Sequence, residues 1–245
     1  MALSPDATYF RKKLLVADIP YLAHIAYDSV IFGFTGDQLK ILIMEYHNTG
    51  LFALPGGFVE MQENLNDAVR RGLKERTGLD NIFLEQFYTF GDNARHNPEV
   101  LKTILLANDL DPNDHAWLLD RFISVAYYAL INYEDVVPKP DALSDSCEWY
   151  PVDQLPKLIL DHENIVGKAI QTLRDNLDRK LVGMSLLPKR FTMKELQRAY
   201  EAILGTKLRR TTFQRKMLST ELLVRYKKRF SGKAHKAPYE YSFKA

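Results

Sequence analysis

The chain has 245 residues, 46% of them hydrophobic and 26% charged, an ordinary balance that excludes disordered and fibrous classes. No apolar run approaches the ~18 residues of a membrane span, Met1 to Leu15 has no apolar signal core, and the lone Cys147 excludes an intrachain disulfide, so a cytoplasmic protein is expected. The net charge of +2 hides a division, because Leu181 to Ala245 holds 16 Lys and Arg against 4 Asp and Glu, leaving 17 against 27 in the rest. A positive region this concentrated is the footprint of a polyanion partner, with nucleic acid ahead of an acidic membrane surface.

In chain order, strand-like runs at Ile25–Phe34 and Lys40–Glu45 come first. Pro55-Gly56-Gly57 then gives a sharp loop into a helix over Asn64–Thr77. Leu65, Ala68, Val69 and Leu73 repeat at the spacing of one apolar face, with Asn64 as N-cap, Gly78 just past the end and the charges on the other face. A strand at Ile82–Phe90 is followed by a long stretch from Glu99 to Asp120 with an exposed turn at Asp109–Asp114. A strand at Ile123–Ile131 and an amphipathic helix over Glu163–Leu177 complete a mixed α and β first domain. His162 reads as the start of that last helix rather than as a ligand.

A boundary near Asp178–Met184 divides the chain into residues 1–180 and 181–245. In the second part, Thr192 and Glu195 form a capping box, Met193, Leu196, Tyr200, Ile203 and Leu204 make an apolar stripe, and Gly205 ends the helix. Arg209–Leu218 reads as a second helix with Phe213 and Met217 inward and Arg210, Thr211, Gln214 and Arg215 outward, where they can meet base edges and phosphates. Strands at Leu222–Tyr226 and Tyr239–Phe243 flank a basic loop with Arg229, Lys233, His235 and Lys236, so the tail predicts a winged helix-turn-helix. Its nominated DNA contacts are Arg209, Arg210, Thr211, Thr212, Gln214, Arg215, Lys216, Lys233 and Lys236. A basic subdomain packed on a protein partner is the alternative.

The segment GFVEMQENLNDAVRRGLKERTGL, from Gly57 to Leu79, resembles a Nudix box, the G-x5-E-x7-R-E-U-x-E-E-x-G-U signature of Mg²⁺-dependent hydrolases of nucleoside diphosphate derivatives. Gly57, Glu63, Arg71, Leu73, Glu75, Gly78 and Leu79 match, while Gly72 and Arg76 stand where the pattern has glutamates. Mg²⁺ wants oxygen ligands. By resemblance Arg76 replaces an anionic ligand with a cation, and Gly72 adds a helix-interior glycine costing roughly 1 kcal/mol relative to Ala. The resemblance therefore implies an α+β fold, a Nudix-like α/β/α sandwich with a mixed sheet followed by a small winged helix, and no enzymatic turnover and no metal cofactor.

Further segments extend the likeness. Glu85–Asp92, Ser124–Leu130, Leu155-Pro156 with Asp161-His162, Leu187-Pro188, Tyr200-Glu201 and Phe213–Lys216 are similar to Nudix-related transcriptional regulators, in which a Nudix-like sensor precedes a winged helix. The resemblance implies a dimeric regulator, a repressor on a two-fold DNA operator, with one branch of the family answering to ADP-ribose and another to pentoses such as arabinose. Gly72 and Arg76 favour the pentose branch, since a neutral sugar needs no metal to hold a diphosphate. Arg95-His96-Asn97-Pro98, where the family usually has Arg-Asp-Pro, and the stretch after it depart from the pattern.

Effector contacts are nominated at Asp28, Phe58, Glu63, Arg71, Glu75 and Arg95, since a polyol site needs convergent hydrogen-bond groups and an apolar wall. Bland roles compete: Asp28 as a bridge within the first strand, Phe58 as core, Arg71 as an i,i+4 partner of Glu75. The competing functions are a Mg²⁺-dependent Nudix hydrolase with a nucleic-acid-binding tail and a non-enzymatic RNA-binding module.

Overall fold

In the computed structural model, the described residues are 21–80, 82–141, 143–177, 186–230 and 237–244. The expected boundary at 178–184 and the basic residues Lys233, His235 and Lys236 lie outside them.

The first part is built on a mixed sheet of β1 (Tyr21–Phe34), β2 (Leu39–Tyr46), β3 (Phe52–Ala53), β4 (Gly56–Glu60), β5 (Phe83–Phe90), β6 (Ile123–Asn132) and β7 (Ser144–Pro151). Its order is β3-β2-β1-β6-β5, with β4 on β1 and β7 on β2. β1 and β6 run parallel from Ile25 against Ile123 to Phe34 against Asn132, and the other pairs are antiparallel. Strand side chains alternate faces, so Val30, Phe32, Ala126, Tyr128 and Leu130 join one core cluster while Tyr27, Ile31, Val125, Tyr127 and Ala129 join another. That is why the middle of β1 reads as a continuous apolar run: it is buried on both sides.

Helix α1 (Leu65–Thr77) covers the second face through Ala68, Val69 and Leu73. Gly78 closes it at a left-handed φ of 74°, its N–H donating to the Lys74 carbonyl at 2.7 Å. Asn64 holds the N-cap position, but its amide turns to Asp67 instead of capping the backbone. Placing all the charges of this helix on its outer face is corrected at Arg76, which is buried. The stretch after β5 is not structureless: it forms α2 (Pro98–Ala107) and a 3₁₀ turn at Ala116–Leu119 around Leu105, Leu110 and Trp117.

Helix α3 (His162–Asn176) covers the first face with Ile165, Val166, Ala169 and Leu173. The same cluster continues into the second part. There β8 (Phe191–Thr192), α4 (Met193–Leu204), α5 (Arg210–Ser219), β9 (Leu223–Lys228) and β10 (Tyr239–Phe243) form a winged helix with a sheet of order β8-β10-β9. Thr192 and Glu195 complete the capping box in both directions. Leu196, Ala199, Ile203, Phe213 and Met217 supply its core, and Arg174 of α3 donates to the Ile203 carbonyl at 2.8 Å, a polar tie between the parts.

Cys147 on β7 is buried, and burial pushes its thiol up to about 12. Since only thiolate reacts, the folded protein is expected to resist iodoacetamide at pH 8 and to label within minutes in denaturant, as read by mass spectrometry.

Candidate functional site

A cavity of about 190 Å³ lies between β1, β4, the inner face of α1, the post-β5 stretch and the start of α3. A larger groove of about 440 Å³ opens elsewhere, at Ile82, Asn132 and Lys189, but among the described residues its charged lining is Asp135 and Lys189. Ionisable and aromatic groups converge in the smaller cavity. Of the nominated contacts, Asp28, Phe58, Arg71, Glu75 and Arg95 line it, and Glu63 does not. Phe58 belongs to an aromatic wall, with ring centroids 5.1 Å from Trp117, 5.4 Å from Phe122 and 5.5 Å from Tyr21.

The floor is a buried polar cluster. Asp28 accepts from the Ser124 hydroxyl and lies 3.6 Å from Arg95 Nη2 and 3.6 Å from His162 Nε2. Arg95 reaches Asp161 through Nε at 3.1 Å and Nη2 at 3.3 Å, and donates through Nη1 to the Phe122 carbonyl at 2.7 Å. Its guanidinium lines the cavity while Nε, Nη1 and Nη2 each hold a partner within the protein, which gives it a structural role beside its nomination as an effector contact. The Leu54 N–H donates to His162 Nδ1 at 3.0 Å, which puts the ring proton on Nε2, facing Asp28. Leu160 adopts φ 51° just before this pair, a left-handed conformation that costs a bulky residue and turns Asp161 and His162 inward.

The rim carries the box residues. Arg71 grips Glu63 with Nε at 2.9 Å and Nη2 at 2.8 Å and also donates to the Phe58 carbonyl at 3.1 Å. That bidentate pair is stronger than the i,i+4 contact with Glu75 at 3.7 Å, and it removes Glu63 from the cavity. Arg76 donates to Asp141 at 2.7 Å and lies 3.8 Å from Glu75. Glu75 therefore faces two guanidiniums, and no carboxylate stands at position 72 or 76. This donor set does not fit Mg²⁺, which wants clustered oxygen ligands. Arg76, Asp141, Tyr27 and the Trp117–Phe122 wall were missed from sequence. Gly72 was the available signal, because a glycine in place of a side chain inside a helix implies that something else fills the space.

On the winged helix, Arg210, Thr211 and Arg215 are exposed and Gln214 is half-buried, while Phe213 and Met217 point inward. Thr212, Lys216 and Arg209 border the seam between α5, α4 and the end of α3. Arg229, expected among the basic loop residues, is held by Glu195 at 2.9 Å, Glu240 at 2.8 Å and the Arg190 carbonyl, a structural role.

Residues 24–173 match the description of the NUDIX domain, and residues 183–243 match that of the NrtR DNA-binding winged helix domain. The chain is 32% identical over 200 residues to the "ADPR responsive transcriptional repressor NtrR" of Acinetobacter baylyi, covering 79% of this chain and 71% of that one. The chain belongs to the NrtR-type Nudix transcriptional regulators. The Shewanella oneidensis NrtR structure complexed with a 27mer DNA matches with a TM-score of 0.68 at 28% identity, covering 90% of this chain and 93% of that one. An ADP-ribose pyrophosphatase of Methanocaldococcus jannaschii is 33% identical over 132 residues, covering 52% of this chain and 63% of that protein. These NrtR-type features account for both the box-like helix α1 and the basic tail.

Proposed function

We propose that this NrtR-type regulator is a homodimeric repressor that leaves its operator when a pentose-bearing effector enters the β1–α1 cavity. The observation that carries the reading is the cavity's position at the first turn of α3, whose last turn is tied to the winged helix by Arg174. A shift of Asp161 and His162 on ligand binding would move one end of a helix whose other end holds α4. Two-fold symmetry then calls for half-sites about 10 bp, or a multiple, apart. Release requires the effector to prefer the DNA-incompetent state.

The lining pairs three carboxylates, Asp28, Glu75 and Asp141, with three guanidiniums, Arg71, Arg76 and Arg95. Among the described residues the charge of the lining is balanced, and the volume lies below the ~300 Å³ at which pockets for larger ligands begin. Both favour a free pentose such as arabinose. The second reading is ADP-ribose, the effector in the name of the Acinetobacter relative, with its terminal ribose inside and the remainder outside. Operator binding is measured at fixed salt with arabinose, other pentoses and ADP-ribose added in turn. Release by a pentose supports the first reading, release by ADP-ribose alone the second, and unchanged affinity with all of them overturns the effector assignment.

The replaced glutamates favour binding without hydrolysis. Incubation with ADP-ribose and Mg²⁺ is expected to yield no AMP above background, and Mg²⁺-dependent turnover abolished by Glu75→Gln would restore the hydrolase reading.

Arg174→Ala is expected to leave operator and effector affinities separately near those of the parent while reducing the effector's influence on operator binding about fivefold. That is the net worth of one hydrogen bond, ~1 kcal/mol, taken from a coupling that is typically 1–3 kcal/mol. Operator titrations with and without effector read it directly.

A further inference from the structure

The glycine in the box has a physical counterpart across the cavity. A Cβ placed on Gly72 would lie 2.2 Å from the Tyr27 hydroxyl, and one on Gly57 would lie 2.6 Å from it. The phenol thus fills the space between β4 and α1 that a side chain at position 72 would need, and a side chain at position 57 or 72 would require the phenol to shift. Tyr27 is 3% exposed and lines the cavity, and among the described residues its hydroxyl meets no hydrogen-bond partner. A phenol hydroxyl that lines a cavity can donate to whatever occupies it.

Arg76 stands at the other replaced position, 7% exposed. One terminal nitrogen is held by Asp141 at 2.7 Å, the other is only 3.8 Å from Glu75, and Nε lies 3.2 Å from Met44 Sδ. The Nη1 N–H groups therefore retain donor capacity toward the cavity. Two donors, Tyr27 and Arg76, face it together with the carboxylates of Asp28 and Glu75 and the face of Phe58. Alternating donors and acceptors beside an aromatic wall are the chemistry that recognises a neutral polyhydroxylated ring, each hydroxyl of which both donates and accepts.

We propose that Tyr27 and Arg76 form a metal-independent clamp on the ring hydroxyls of the effector's pentose, taking the places of the two missing glutamates. The clamp rests on the pentose reading above, and either a free pentose or the ribosyl end of ADP-ribose presents the same hydroxyls. Tyr27 serves as the donor and Arg76 as the fixed positive charge. Burial raises the phenol to about 12, so it keeps its proton at neutral pH and can donate.

The test is calorimetric titration of the full chain with arabinose, ribose, xylose and ADP-ribose, each in EDTA and in millimolar Mg²⁺. At least one ligand is expected to bind with the same affinity in both buffers. Tyr27→Phe, which removes one oxygen and leaves the ring, should weaken that ligand about five- to tenfold with an unchanged melting curve. Arg76→Lys keeps the charge but loses the planar fork, and should weaken it comparably. A free sugar binding more tightly than ADP-ribose assigns the hydroxyls to a free pentose, and the reverse assigns them to the nucleotide. If a ligand binds the parent but Tyr27→Phe and Arg76→Lys bind it equally well, the clamp is overturned and the repressor reading stands. Binding that requires Mg²⁺ also overturns the clamp. No binding by any of the four ligands overturns both the clamp and the pentose reading.

Discussion

Replacing Arg210 and Arg215 together by alanine is expected to weaken operator binding on the order of 100-fold while leaving the melting temperature unchanged. Both side chains are exposed on α5, the second helix of the helix-turn-helix unit, where N-terminal residues of a recognition helix reach base edges. Neither supports the core, which α5 enters through Phe213 and Met217, so the loss would not come from unfolding. A base-reading arginine is worth ~1–3 kcal/mol and its loss relaxes specificity at one position, whereas a phosphate-binding one weakens all sequences alike and lowers the salt slope by about 1. Fluorescence anisotropy on cognate and scrambled duplexes at several salt concentrations separates these cases. Unchanged affinity in the double variant would move the DNA surface away from α5. The Arg229→Ala variant is a useful contrast, because its partners are Glu195 and Glu240; it should affect folding of the winged helix before it affects DNA contacts.

The elements that sequence predicted well are those whose signals are local. The apolar repeat of α1, its Gly78 terminus, the Thr192–Glu195 box and the inward pair Phe213 and Met217 all depend on residues within a few positions of one another. The site was less legible because its partners are distant in sequence. Arg76 is buried through Asp141, 65 residues on, and Arg95 is committed through Asp161, 66 residues on. Helical spacing alone placed Arg76 among the solvated charges, and nothing near Arg95 indicated that Asp161 and the Phe122 carbonyl would be its partners. Strand β7 and helix α2 were missed for related reasons. β7 is an edge-side strand of mixed exposure with the register set by β2, and α2 packs against its own short segment, the sheet edge and residues distant in sequence, Leu143, Ile159 and Leu160. Tyr27 was hidden in plain alternation, since nothing about a tyrosine in a strand shows that two glycines in other elements make room for it.

Arg95→Ala is expected to destabilise the protein by about 3–5 kcal/mol, the usual result of removing one partner from a buried ion pair. For a chain of this size that is a fall in melting temperature on the order of 10 °C. The side chain is 6% exposed, and it ties the post-β5 stretch to Asp161, to the Phe122 carbonyl and, more loosely, to Asp28 on β1. Alanine would leave Asp28 and Asp161 without that cation and the Phe122 carbonyl without its donor. Arg95→Lys keeps the charge but cannot hold both Asp161 oxygens and the carbonyl in one plane, so an intermediate loss is expected. The double variant Arg95→Ala, Asp161→Asn should recover part of the deficit, because it removes one of the orphaned charges. Thermal melts of the four proteins decide between the two roles considered for this residue. A structural Arg95 gives large melting shifts in the absence of any ligand, while an effector-contacting Arg95 leaves the ligand-free melts level and changes only ligand affinity. The same cluster sits where α3 begins, so a loss of order there would also loosen the end of the helix that carries Arg174 to the winged helix. The melting deficit and a blunted effector response should therefore appear in the same variant.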